Sequence, residues 1–94
     1  MGKEGDRTFF VESFVPKLDN ATAKDLSSRL RAAVNEIRRE GRSLRWQGSF
    51  ALIDEETFVW MLSGLERELV TQVSERAGVG YYHVAEVAVD PSRV

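Results

Sequence analysis

His83 is the chain's single histidine and follows two phenols, Tyr81 and Tyr82. An imidazole in such a place can ligate a metal ion or pass a proton; its plainer role is that of a half-buried structural histidine. Glu12 and Glu86 stand in the middle of apolar runs. A carboxylate inside an apolar sheet needs a partner or gives up its charge, which makes such a group an acid, base or ligand candidate. The plainer alternative is a rim carboxylate paired with Arg45 or with water. Trp46, Gln47, Ser49, Trp60, Tyr81 and Tyr82 could line a pocket with stacking surfaces and hydrogen-bonding groups, or simply pack a core or an interface. Arg38, Arg39, Arg42 and Arg45 form a basic cluster. It could hold an anion, but cations at the end of a helix also complement its macrodipole, and that is the expectation here.

Several chemistries lack their residues altogether. The chain has no cysteine, hence no thiol nucleophile, disulfide framework or thiolate metal site. It contains no P-loop, G-x-G-x-x-G, G-x-S-x-G or H-E-x-x-H motif. The net charge of −2 gives no general attraction to nucleic acid. No apolar run approaches the roughly 20 residues of a membrane span, and no signal-peptide pattern follows Met1. Cytoplasm is the expected compartment, without membrane or nucleic-acid partners.

These residues must be positioned by one domain, because 94 residues leave no room for two. Residues 1–6 are expected to be disordered, residues 7–90 to form the domain and residues 91–94 a tail. The organising stretch is a hairpin: strands Leu44 to Ile53 and Thr57 to Leu62 joined by the acidic turn Asp54-Glu55-Glu56. The second strand is rich in β-branched and aromatic residues and apolar on both faces, as a central strand should be. In the first, alternation groups Leu44, Trp46, Gly48, Phe50 and Leu52, with Gly48 marking a bulge or a close backbone approach. Arg7 to Val15 reads as another strand, stopped by Pro16, and Tyr81 to Val89 as the last, stopped by Pro91.

Two helices separate the strands. The first is introduced by Thr22-Ala23-Lys24-Asp25, a weak relative of the capping box, carries the stripe Leu26, Leu30, Ala33, Val34 and Ile37, and stops at Gly41. The second is expected to begin at the box Ser63-Gly64-Leu65-Glu66, to bury Leu65, Leu69, Val70, Val73 and Ala77, and to close at Gly78. The order βαββαβ folds as two interleaved right-handed βαβ units: an α+β, ferredoxin-like domain with a four-stranded antiparallel sheet and both helices on one face. Either parity leaves an apolar face bare, grouped as Phe10, Phe14 and Trp60 or as Phe9, Val11, Val59 and Met61. Pairing of two such faces in a homodimer, a dimeric α/β barrel, is the expected cover. RNA-binding modules of this topology carry an aromatic-and-glycine signature on the third strand that Thr57-Phe58-Val59-Trp60-Met61 lacks.

The segments Phe10-Val11-Glu12-Ser13-Phe14-Val15-Pro16, Arg45-Trp46-Gln47-Gly48-Ser49, Asp54-Glu55-Glu56-Thr57 and Arg76-Ala77-Gly78-Val79 resemble a family of small ferredoxin-like proteins of unknown function that includes a nickel-binding protein. The resemblance runs from Thr8 to Val89 and implies a dimer with a polar pocket or a metal site, nickel or another divalent ion, near the sheet. With one histidine per chain, a histidine-rich site forms only by sharing between subunits.

The reading that results is a homodimeric binding protein that holds a small ligand or divalent ion at the sheet face. Glu12, His83 and Glu86 are expected to make the polar contacts, His83 as metal ligand, with Ser49 and Tyr82 beside them and Trp46 and Trp60 as walls. A second reading is a cofactor-independent enzyme similar to small dimeric α/β-barrel monooxygenases. A third is a structural or protein-interaction module.

Overall fold

A computed structural model describes residues 6–88. Its elements are β1 (Arg7–Phe14), α1 (Asn20–Arg39), β2 (Leu44–Leu52), a 3-10 turn (Ile53–Glu55), β3 (Thr57–Gly64), α2 (Glu68–Ala77) and β4 (His83–Val87). The sheet order is β2-β3-β1-β4, antiparallel throughout, which is the interleaved ferredoxin-like α+β arrangement. The expected disordered start and the tail, with Val89 and Pro91, lie outside the described residues apart from Asp6. No helix among the described residues is long and apolar enough to cross a membrane.

One face of the sheet carries the core. Phe9 and Val11 of β1 and Phe58, Trp60 and Leu62 of β3 are buried with Leu30, Val34 and Ile37 of α1 and Leu69, Val70 and Val73 of α2. Both helices therefore cover the same side. Burying one such side chain contributes roughly 1.5–3 kcal/mol, so the apolar stripes, more than helix propensity, hold the helices in place.

The register decides what the sequence left open. Val11 lies opposite Trp60, and Phe10 and Glu12 lie opposite Met61 and Val59. Directly opposed residues share a face, so Trp60 belongs with Phe9 and Val11 under the helices, not with Phe10 and Phe14. The expected face groupings were crossed by one residue.

β2 shows a second departure. Between Trp46 and Gly48 the pairing slips, leaving Gln47 as an extra residue opposite no partner. Gly48 has φ +139°, a conformation that favours glycine. The bulge inverts the alternation: Leu44 and Trp46 face the helices, and beyond it so do Ser49 and Ala51, while Gly48, Phe50 and Leu52 face the other way. Gly48 thus marks the bulge, but Trp46 and Phe50 sit on opposite faces.

Both helix starts also differ from the sequence reading. Asp19, not Thr22, caps α1: its Oδ1 accepts from the Thr22 backbone N–H at 2.8 Å. The box at Ser63 does not form, because β3 continues through Gly64 and Ser63 stays buried in the sheet; α2 begins at Glu68, with Leu65 exposed before it. Sheet pairing of Ser63 with Arg45 and Thr8 outcompetes the local cap. Gly78 ends α2 at φ +70° as expected. The last strand is shorter than read, leaving Tyr81 and Tyr82 in the loop before it.

Candidate functional site at the open sheet face

The uncovered face carries Phe10, Glu12 and Phe14 of β1, Val59 and Met61 of β3, Phe50 and Leu52 of β2, and His83 and Ala85 of β4. Across the sheet, Phe50, Val59, Glu12 and His83 make one row. Phe14 is 60% exposed and Phe50 44%, so large apolar groups meet water on this side.

In this apolar field sits a compact polar cluster. Tyr82 Oη donates to Glu12 Oε1 at 2.9 Å, and the Tyr82 backbone N–H donates to the Glu12 carbonyl, also at 2.9 Å. His83 Nδ1 lies 3.6 Å from Glu12 Oε2, an ion-pair distance when the ring is protonated. One carboxylate is therefore flanked by a phenol on one oxygen and an imidazole on the other. Such a cluster can hold a cationic or hydrogen-bond-donating group, ligate a cation, or move a proton.

The cluster is held from behind. Trp60 Nε1 donates to Ser13 Oγ at 3.0 Å, and Ser13 Oγ donates to the Gly80 carbonyl at 2.6 Å. Ser74 Oγ donates to the Val79 carbonyl at 2.6 Å. These two buried serines fix the segment between α2 and β4, and so the approach of Tyr82 and His83 to Glu12. Trp60 also meets Tyr81 edge-on, with ring centroids 6.5 Å apart, and Tyr81 Oη bonds Thr71 Oγ1 at 2.9 Å.

Glu86, Trp60, Trp46 and Ser49 are not brought to this face. Glu86 lies opposite Phe9, on the helix side, with its Oε2 3.8 Å from Arg7 Nε. It is separated from Glu12 by the thickness of the sheet. Trp60 is completely buried and walls no pocket. Trp46 is half-buried against the core, and Ser49 Oγ bonds Ser27 Oγ of α1 at 3.3 Å; both belong to the helix side. Neither Glu12 nor Glu86 pairs with Arg45. Ser13 and Ser74 were missed, as were Phe10, Phe14 and Phe50 as surroundings of the cluster. The available signal was Ser13 itself, a hydroxyl in alternation with Phe9 and Val11 along one face of β1.

Among the described residues no three of His, Cys, Asp and Glu come together as a metal-binding group. Glu12 and His83 offer a carboxylate and an imidazole, fewer donors than a zinc-type or octahedral site takes from its surroundings. One chain by itself does not complete a metal site.

No family model matches the chain, and no curated protein matches it. Among solved structures it is similar to SCO4226 from Streptomyces coelicolor A3(2), with a TM-score of 0.72 at 16% identity. The match covers 88% of this chain and 98% of that one. At that identity the likeness is one of fold.

Proposed function

We propose that this chain is a binding protein that works as a homodimer, two open sheet faces closing over a small ligand held at Glu12, Tyr82 and His83. The observation that carries the reading is the placement of a carboxylate, hydrogen-bonded to a phenol and 3.6 Å from an imidazole, beside half-buried Phe10 and exposed Phe14 and Phe50. An apolar face of this size is shielded in water by association, and two-fold pairing applies the same patch twice. Polar groups enclosed by that pairing gain strength as water leaves. The ligand that fits is a small molecule with an apolar body and a cationic or donor end. A divalent ion, nickel by the family resemblance, is a special case, in which a two-fold axis would bring two Glu12–His83 pairs together to complete the ligand set.

Calorimetric titration of wild type with Ni²⁺ and with a panel of small aromatic amines and phenols tests this. Stoichiometric uptake of one of them, abolished in His83→Ala and Glu12→Ala with unchanged circular dichroism, is the expected result. A dimer that takes up none of them would reduce the face to a pairing surface, the interaction-module reading.

A further inference from the structure

On the opposite side of the molecule, a cleft of about 330 Å³ opens between α1 and the edge strand β2. Arg31, Asn35 and Arg38 line it from α1, spaced four and three residues apart and hence on one helix face. Arg45, Trp46 and Gln47 line it from β2, and Val34 forms its floor.

No carboxylate enters this lining, although the chain as a whole is acidic. The nearby acids are engaged elsewhere: Glu36 and Glu40 bind Arg76 at 3.4 and 2.7 Å, and Glu66 binds Arg42 at 3.2 Å. Among the described residues, Arg31, Arg38 and Arg45 form no salt bridge. The helix macrodipole, which accounts for cations in a last turn, covers Arg38. It does not cover Arg31, more than two turns from the end of α1.

The Gln47 bulge gives the cleft its shape, since a bulged edge strand twists away from its neighbour. Trp46 packs one side against the core and lines the cleft with the other. Arg45, opposite Ser63, and Gln47, whose Nε2 donates to Ser63 Oγ at 2.8 Å, turn their side chains to the open face and border the cleft at the strand edge. Guanidinium groups bind oxyanions through paired, charge-assisted hydrogen bonds, an indole offers a stacking face, and amide groups read the edge of a ring.

From this we infer that the cleft is an anion site for a mononucleotide-sized ligand, its phosphate taken by Arg31 and Arg38 and its planar base laid on Trp46 beside Asn35. This site is independent of the open sheet face, since Arg31, Asn35, Arg38 and Trp46 lie on the helix side of the sheet and Glu12 on the other.

The test is calorimetric titration of the whole chain at low ionic strength with adenosine 5′-monophosphate, inorganic phosphate and adenosine. The monophosphate should bind about tenfold or more tighter than either fragment. Arg31→Ala and Arg38→Ala should each weaken it by about tenfold, the scale of one lost charge-assisted bond. Arg39→Ala, outside the lining, should leave it unchanged. Quenching of tryptophan fluorescence should accompany binding and vanish in Trp46→Phe, because Trp60 is sealed from solvent. Absence of monophosphate binding, equal binding of phosphate alone, or unaltered binding in a folded Arg31→Ala/Arg38→Ala variant each overturns the assignment.

Discussion

Ser13 and Ser74 are buried polar residues whose hydroxyls reach carbonyls of the loop ahead of β4, and Ser13 also receives the Trp60 indole N–H. Ser13→Ala leaves a buried donor and a carbonyl without partners, which costs about 2 kcal/mol. Urea unfolding should show that loss with an unchanged dependence on denaturant, and a change below about 0.5 kcal/mol would contradict the network. The same variant should loosen Tyr82 and His83, seen as faster amide exchange at residues 80–83. At this scale residue type singled out Glu12, His83 and Glu86 for the polar contacts with Tyr82 beside them, and the fold joins Glu12, Tyr82 and His83 without Glu86. It misplaced Glu86 and Trp60 because strands apolar on both faces do not declare which parity is inward; only the pairing of Val11 with Trp60 does.

Helix termini and the bulge govern the elements. Arg29 of α1 donates from Nη2 to the Ala77 carbonyl at 2.8 Å and to the Gly78 carbonyl at 3.2 Å, closing the C-terminus of α2 with a charge from its neighbour. The Thr22 backbone N–H bonding to Asp19 holds that carboxyl below the usual aspartate range, and the Arg76 guanidinium does the same for Glu40. A carboxylate with a depressed folded pKa stabilises above its ordinary value, 3.8 for aspartate and 4.5 for glutamate, and loses that contribution as pH falls through the lower folded value. Asp19→Ala should therefore lower the thermal midpoint at pH 7 by a few degrees, a difference that shrinks in acid; a difference unchanged to the acid limit would contradict the cap.

Gly48→Ala meets nothing closer than Met61 Cε at 3.6 Å, so its cost is backbone strain, about 1–3 kcal/mol in chemical denaturation. A stable Gly48→Ala protein would mean that the bulge relaxes freely. The hairpin, the α1 stripe and the Gly78 stop were legible because periodicity and glycine are local signals. The Ser63 box misled because sheet pairing, a non-local effect, claimed its serine; the inversion after Trp46 was hidden because a one-residue bulge does not alter composition.

For the molecule as a whole, both helices and the core lie on one side of a four-stranded sheet, and Phe14, Phe50, Leu52 and Tyr82 are left to solvent on or beside the other. Edge strands β2 and β4 are blunted, one by its bulge and the other by its length of five residues, so association through the face is favoured over association through the edge. A bare apolar sheet face could be read from the βαββαβ order before any coordinates; which side chains it carries could not. Sedimentation equilibrium across the micromolar range is the most direct measurement. Wild type should run at twice the mass of the chain, and a Phe14→Glu/Phe50→Glu variant with native circular dichroism should run as a monomer. A wild-type protein that stays monomeric at the highest concentration, or a double variant that dimerises as before, contradicts the pairing of open sheet faces on which the binding reading rests.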